Sequence, residues 1–272
     1  MATTIVDRAA VVAALGSVWT SIDDLVAGLD ESGWHAASPL PGWDVADLIA
    51  HVTGTERLLL GEQPPEPDTN VADAEHVRNE IGAFNEKWVV AYRALGTAAL
   101  RADFRTVTAT RRAQLSDATD QSFAVVGFTP VGPDTYGRFM RIRVFDCWMH
   151  ELDARDALGL APPSDAAVAA VAVDEIAAIM PYVVGKKAAV PDGSAVRIAL
   201  TGLVPRTIDV VVDGRAALAT MPLRDPDAVL TCDTVQFARL VGGRGGANRA
   251  AVKVAGNAES AAAVLAALAF TI

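Results

Sequence analysis

The strongest constraint on the fold is a change of hydrophobic periodicity at the Pro162–Pro163 pair. Before this pair, apolar residues recur at three- and four-residue spacings, as they do in amphipathic helices. After it, short runs such as AVRIAL and TIDVVV show strand-like alternation or β-branching. We therefore predict an all-α domain over residues 1–161, followed by a small α/β domain over residues 162–272.

The periodic segments of the first domain predict four helices that pack as a bundle, over residues of about 4–30, 44–60, 76–100 and 138–158. Asp44 follows a loop interrupted by prolines and is a suitable N-cap for the second helix. The segments RTVTAT and SFAVVGF, within residues 103–137, are consistent with short strands or irregular loop.

The second domain alternates helices with short strands. A helix is expected over about 165–183, strands at AVRIAL, TIDVVV and AVLTC, and a hairpin at the Asp213–Gly214 turn. A further helix, DTVQFARLV, leads into the Gly-rich GGRGG, and a last strand and helix follow. The Gly-rich segment lacks the strand–loop–helix order and the lysine of a nucleotide-binding P-loop, so we do not assign nucleotide binding to it.

Composition excludes several classes of partner. The net charge is −10, with 23 basic and 33 acidic side chains. Nucleic acids and anionic membranes reward clustered Lys and Arg, and no basic run is present. The two cysteines, Cys147 and Cys232, do not make a disulfide framework. We expect a soluble cytoplasmic protein without a secretory signal, bound to neither nucleic acid nor membrane, as a monomer or homodimer.

The fourth predicted helix carries the clearest chemical signal. Asp146 and His150 are four residues apart and project from one helix face, among core-type residues. On the second helix, His51 shares an inward-facing stripe with apolar residues. Two facing helices can bring such side chains together around zinc, and iron, nickel or manganese would also suit the set. A structural Asp–His hydrogen bond remains the alternative.

Other polar side chains have weaker patterns. Asp153, one turn beyond His150, could orient that imidazole or pair with Arg143 or Arg155. His35 and His76 lie in or near loops, and we interpret them as surface or pocket-rim residues. Core packing is expected for Cys147, and core packing or a pocket lining for the tryptophans Trp34, Trp43 and Trp148.

Several blocks together resemble one family. WHAASPLPGWDVADLIAHVTGTE, the VRNE segment, RVFDCWMHELDARDALG and LVGGRGG are similar to motifs of the mycothiol-dependent maleylpyruvate isomerase family, a group of DinB-like bundles. The resemblance covers nearly the whole chain. It implies a DinB-like four-helix bundle followed by a sterol-carrier-protein-like α/β domain, which helps to close the active-site cleft and carries no lipid.

The resemblance also implies roles for particular residues. The family's metal ligands correspond to His51, Asp146 and His150, and the well-described isomerase has Glu where this chain has Asp146. The shorter carboxylate can still ligate, with the helices closer or the metal shifted. Family arginines that hold anionic substrate or thiol correspond to Arg78 and Arg244. The implied cofactors are a divalent metal, zinc in the first instance, and mycothiol, the actinobacterial thiol.

These residues lead to one expected function and two alternatives. We expect a metal- and mycothiol-dependent enzyme, an isomerase or thiol S-transferase, that acts on a small electrophilic substrate. Arg78 and Arg244 would take part in catalysis and in binding the cofactor, with Asp153 as a further cofactor-site residue. The alternatives are a metal-dependent hydrolase that uses water in place of the thiol, and a non-catalytic metal- or thiol-binding module.

Overall fold

A computed structural model describes residues 3–271, so residues 1, 2 and 272 of the expected domains lie outside the described part. The chain divides into two compact units, one up to Val171 and one from Ala172 onward. The division falls inside a helix that follows the Pro162–Pro163 pair. Each unit is described here by itself.

The first unit is helical, with one short hairpin. Its elements in chain order are α1 (Arg8–Val26), α2 (Glu31–Trp34), α3 (Val45–Leu59), α4 (Glu80–Leu95), α5 (Thr97–Ser116), α6 (Asp120–Phe123), β1 (Val126–Gly127), β2 (Asp134–Thr135) and α7 (Tyr136–Ala157). β1 and β2 pair antiparallel. A further helix, α8 (Ala166–Tyr182), runs across the division between the units.

Within residues 3–171, four long helices form a closed ring. α1 packs against α5 and α7, and α3 packs against the same two helices. α4 lies outside the ring, where it contacts α3 and α5. The ring buries large side chains from each helix, including Trp19, Leu48, Phe104 and Trp148. This arrangement confirms the helical fold class of the first domain.

The identity of the third bundle helix differs from the prediction. The sequence indicated short strands or loop near RTVTAT, but these residues belong to α5, and α5 rather than α4 completes the ring. Leu100, Phe104, Val107 and Leu115 are buried at helical spacings. The core position between the last two is taken by Arg111, and this charged residue interrupts the apolar stripe that periodicity detects.

Local capping sets where the helices begin. The Asp7 side chain accepts a hydrogen bond from the backbone N–H of Ala10, so α1 begins later than the predicted residue 4. Asp44 caps α3 as predicted, in a capping box with Asp47. Asn79 caps α4, which therefore begins at Glu80 and not near residue 76.

The second unit is built on a mixed sheet. Its elements after α8 are β3 (Ala195–Thr201), β4 (Arg206–Asp213), β5 (Arg215–Leu218), β6 (Ala228–Asp233), α9 (Thr234–Val241), β7 (Lys253–Gly256) and α10 (Ala258–Ala267). Within residues 172–271 the strand order is β5-β4-β3-β6-β7. β3 and β6 run parallel, and the other neighbours are antiparallel. The predicted strands and the hairpin at Gly214 are therefore present.

Two helical segments, Arg8–Val26 and Ala166–Lys187, are long and apolar enough to cross a bilayer by length and composition. In the most apolar 18-residue stretch of each segment, 39% of the residues are buried inside the protein for Arg8–Val26 and 61% for Ala166–Lys187. Core helices of soluble proteins satisfy the same criterion. Length and composition therefore do not distinguish these segments from core helices.

Candidate metal centre

The helix α3 places His51 inside the bundle. The capping box at Asp44 and Asp47 fixes the start of the helix, and His51 lies about two turns further on. The residue is only 6% exposed and has Leu48 and Val52 as fully buried neighbours on the same helix. The imidazole therefore stands on the core side of α3, as the sequence predicted.

The helix α7 supplies the other two members of the cluster. The Thr135 hydroxyl accepts a hydrogen bond from the backbone N–H of Arg138 and caps this helix. Asp146 and His150 are one turn apart and project from the same side toward α3. The His150 side chain is 8% exposed and the Asp146 side chain 27%.

The three side chains meet at one point. His51 Nε2 lies 3.3 Å from Asp146 Oδ2, and His150 Nε2 lies 3.5 Å from Asp146 Oδ1. One ligand atom from each residue lies within 4.8 Å of the others. Ligand atoms of tetrahedral zinc, with bonds of about 2.0–2.1 Å, are about 3.3 Å apart. The two imidazole–carboxylate separations, each to a different oxygen of Asp146, are close to that value, so these residues are near enough to one another to hold a small divalent cation.

A buried carboxylate orients one of the imidazoles. Asp153 Oδ2 lies 3.3 Å from His150 Nδ1, and the Asp153 side chain is fully buried. A proton shared at Nδ1 leaves the Nε2 lone pair directed at the cluster. Of the partners considered from the sequence, Arg155 instead bonds Glu151.

The electrostatics of the cluster suit a cation. Burial opposes ionisation of Asp146, but Arg143 and the two imidazoles outweigh burial and hold its pKa well below the ordinary value. Burial lowers the pKa of His51. Burial acts in the same direction on His150, but Asp146 and Asp153 outweigh it and raise that pKa. Asp146 is thus held as the carboxylate anion and burial favours neutral His51, the forms in which these groups bind metals, whereas a metal at His150 would replace the proton that the two carboxylates favour.

A buried group of charges that the sequence analysis did not identify lies behind the cluster. Glu56 on α3 accepts hydrogen bonds at 2.9 Å from Arg111 Nε and from Arg143 Nε. Arg143 also bonds Asp146. The side chains of Glu56 and Arg111 are fully buried, and that of Arg143 is 3% exposed. The sequence feature that could have indicated this group is a charged residue on the apolar stripe of each of three bundle helices.

An aromatic side chain lies beside the cluster. The Trp43 ring centroid is 5.4 Å from that of His51 and 6.2 Å from that of His150. Its indole N–H donates to Glu86 Oε2 at 2.8 Å, and His76 Nε2 lies 2.9 Å from the same oxygen. Trp43 therefore forms one wall of the site, held in place by a buried carboxylate.

The remaining candidates outside the cluster have ordinary structural surroundings. His35 is exposed and lies 2.7 Å from Asp44. Trp34 and Trp148 are buried core residues. Burial raises the pKa of the Cys147 thiol to about 12, although Arg143 acts in the opposite direction. A thiol in that state is a packing residue and a poor nucleophile at neutral pH.

The two arginines implied by the resemblance lie on different units. Arg78 is exposed in the loop before α4, so it is not on the third helix as expected. Arg244 is partly exposed in the Gly-rich segment after α9, and its guanidinium donates to the Gly242 carbonyl at 2.6 Å. Their participation in catalysis and binding stays a prediction.

Comparisons with solved structures agree with this fold. A crystal structure of the mycothiol-dependent maleylpyruvate isomerase superposes with a TM-score of 0.58 at 15% sequence identity, covering 92% of this chain and 93% of that chain. A His-to-Ala mutant of that enzyme gives a TM-score of 0.57 at the same identity and coverage. At this level of identity, the similarity establishes the fold alone.

Comparisons of sequence establish the family. Two curated relatives, uncharacterized proteins from Mycobacterium tuberculosis strains CDC 1551 / Oshkosh and H37Rv, are each 29% identical over 143 residues, which is 53% of this chain and 54% of theirs. The chain thus spans about half the length of the curated relatives it matches. The mycothiol maleylpyruvate isomerase N-terminal domain matches residues 15–155, more than half of the chain, and the MDMPI C-terminal domain matches residues 170–263. This chain belongs to the mycothiol maleylpyruvate isomerase family.

Proposed function

We propose that this protein is a metal- and mycothiol-dependent enzyme, an isomerase or thiol S-transferase, that acts on a small electrophilic substrate. The observation that carries the proposal is the convergence of His51, Asp146 and His150 from two bundle helices. Membership of the family supports mycothiol as the thiol, since a solved enzyme of the same fold is a mycothiol-dependent maleylpyruvate isomerase.

The ligand set suits zinc, and the choice among divalent metals is part of the proposal. Two imidazoles and one carboxylate leave a fourth tetrahedral position for a ligand from solution. A metal in this position lowers the pKa of a coordinated thiol, so that mycothiol is a strong nucleophile at neutral pH. The Asp146 side chain is more exposed than the two imidazoles, so a thiol from solution would reach the cluster from its side.

The residues around the cluster have separate tasks in this proposal. Asp153 directs Nε2 of His150 and so acts on the cofactor site through that imidazole. Trp43 excludes water from one side of the reacting groups. Arg78 and Arg244 pair with carboxylates of the substrate or donate hydrogen bonds to oxygen atoms of mycothiol. We place the enzyme in the cytoplasm, as a monomer or homodimer, without nucleic acid or membrane partners.

The same nucleophile serves either reaction. In isomerisation the thiol sulfur adds to an electrophilic double bond, rotation follows about the resulting single bond, and the sulfur leaves with its electron pair. In transfer the sulfur displaces a leaving group and stays attached, and the thiol proton is lost to solvent. Both reactions begin with attack by the activated thiol, but only transfer consumes the thiol.

The metal site is tested by metal analysis of the purified protein. We expect one divalent ion per chain in the wild type and none in His150→Ala. His35→Ala is the matched control, because it removes an exposed imidazole outside the cluster. Stoichiometric metal in His150→Ala would contradict the assignment of the ligands.

The thiol and the reaction are tested with the metal-loaded protein. Mycothiol at millimolar concentration should raise the melting temperature, because a ligand of the native state stabilises it. A panel of small electrophiles, followed by thiol consumption and by product isomer, then separates transfer from isomerisation. Metal without a mycothiol response would favour a hydrolase that uses water, and metal and thiol binding without turnover would favour a binding module.

A further inference from the structure

A chain of four alternating charges runs through the bundle to the metal cluster. Arg111 on α5 bonds Glu56 on α3, Glu56 bonds Arg143 on α7, and Arg143 bonds Asp146 one turn further along α7. The first three side chains are at most 3% exposed. This series of ion pairs therefore joins three helices of the bundle, including the two that carry the candidate ligands.

Stability by itself is a weak explanation for these charges. A buried ion pair loses solvation that its mutual attraction often fails to recover, and well-packed apolar residues of the same volume can be as stable or more stable. Arg111 fits a structural role, since it bonds Glu56, the Tyr136 hydroxyl at 3.2 Å and the Met140 sulfur at 3.1 Å. Arg143 differs from Arg111, because one of its bonds is to a candidate metal ligand.

The contacts of Arg143 restrain the candidate ligand Asp146. Its Nη1 group donates to Oδ2 of Asp146, its Nε donates to Glu56 at 2.9 Å, and its Nη2 lies 3.5 Å from the Cys147 sulfur. A guanidinium held at three points is a rigid donor. It therefore limits rotation of the Asp146 carboxylate. It engages Oδ2, which also faces His51, and leaves Oδ1, which faces His150, free of the guanidinium.

The charge on Arg143 requires compensation. A buried cation next to a metal site repels the metal, and the repulsion is strong in a region that excludes water. Glu56 supplies a negative charge at hydrogen-bond distance from Arg143. Glu56 also pairs with Arg111, so it offsets the positive charge of Arg143 in part while the guanidinium orients the carboxylate.

We propose that Arg143, held by Glu56, is a positioning residue that keeps Asp146 in single-oxygen coordination and thereby sets the affinity and geometry of the metal centre. This inference depends on the proposed metal site. It explains how a short Asp side chain serves as a ligand here. Arg143 on α7 holds the carboxylate in place, and Glu56 links the same guanidinium to α3, the helix of His51.

Cobalt(II) reports on the geometry directly. Four-coordinate cobalt absorbs visible light much more strongly than five- or six-coordinate cobalt. In the metal-free protein titrated with cobalt, we expect the wild type to give the strong four-coordinate spectrum. Arg143→Gln frees the carboxylate to bind through both oxygens, so the absorption should weaken and the cobalt affinity should fall about 10- to 100-fold.

Two further variants make the test specific. Arg143→Lys keeps the charge and one donor, so it should recover part of the spectrum, and it carries the test if Arg143→Gln does not fold. Arg111→Gln is the matched control, because it breaks the other buried bond to Glu56 without touching Asp146. It should lower the melting temperature of the metal-free protein and leave the cobalt spectrum unchanged.

The outcomes separate this inference from the proposed function. A wild type that takes up no cobalt would overturn the metal site and this inference together. A wild type that binds cobalt, with Arg143 variants of unchanged spectrum and affinity, would overturn the positioning role alone. An Arg111→Gln spectrum altered as much as that of Arg143→Gln would also overturn it, since the effect would then be a general loss of packing.

Discussion

His150 uses both nitrogens of its imidazole. Nε2 faces Asp146 at 3.5 Å, and Nδ1 lies 3.3 Å from Asp153. This carboxylate–imidazole arrangement recurs behind metal ligands, because it fixes the tautomer and makes the ligating nitrogen more basic. At the residue scale, the candidate site thus depends on buried partners as well as on the three ligands.

Asp153→Asn tests the orienting role of this carboxylate. The amide keeps the shape of the side chain and removes its charge, so His150 becomes a less basic ligand. We expect the affinity for zinc, measured by competition with a chelator, to fall about 10-fold or more. Glu151→Gln is the control, because Glu151 is a buried acid on the same helix that bonds Ser21 and Arg155. Equal losses in both variants would argue against the role.

At the element scale, the junction between α4 and α5 determines which helix completes the bundle. Gly96 is both the C-cap residue of α4 and the N-cap residue of α5, with φ +82° and ψ 165°. This backbone conformation is essentially restricted to glycine. The junction lets the chain reverse at once into α5, whose buried face lines the ring with α1 and α3.

Gly96→Ala tests that junction. A Cβ atom strains the backbone at this φ even though nothing lies within 4 Å of it. We expect the free energy of unfolding to fall by about 1–3 kcal/mol in chemical denaturation. Gly28→Ala is the control, because its added Cβ also meets nothing within 4 Å and its φ is not in the left-handed region. If the free energy of unfolding of Gly96→Ala equals that of the wild type, the junction tolerates other backbone conformations.

Asp134 at the start of β2 links the N-terminal segment to α7 and makes stability depend on pH. Burial opposes its ionisation, but hydrogen bonds from Thr4 and Arg138 outweigh burial and lower its pKa. A lowered native pKa contributes stability above the unfolded value of about 3.9, and that stability is lost as the pH falls further toward the native value.

Asp134→Asn should therefore be less stable than the wild type at pH 7. The difference in the free energy of unfolding should shrink as the pH is lowered below about 4, because the wild type then loses the same contribution. Denaturant titrations at neutral and acidic pH measure this difference. If the difference in the free energy of unfolding between the wild type and Asp134→Asn does not change with pH, packing and not ionisation causes the loss of stability.

For the whole molecule, a metal bound at the proposed site would couple binding to folding. The three ligands come from α3 and α7, which are distant in sequence, so the unfolded chain has no preformed site. Chelation should lower the melting temperature of the intact chain, and zinc should restore it. At free zinc 100 times the dissociation constant, the gain is about 2.7 kcal/mol. His150→Ala should show no such response, and an equal response in that variant would place the binding elsewhere.

Local sequence patterns were enough to predict the two-part architecture, most strands of the second unit and the pair Asp146–His150. These features depend on interactions between residues close in the chain, so periodicity, capping and turn residues report them. Periodicity also placed His51 on an inward face, where a facing helix could bring it to that pair, and the family motifs indicated the same three residues.

The role of α5 and the charges behind the cluster became evident only from the packing of the helices. Arg111 and Glu56 occupy core positions that a pattern of apolar residues cannot anticipate, because each is tolerated only by a partner on another helix. The same holds for Arg143, whose contact with Glu56 links residues 87 positions apart. Pairing between distant buried charges depends on how helices pack, and helix packing is not encoded in any local stretch of sequence.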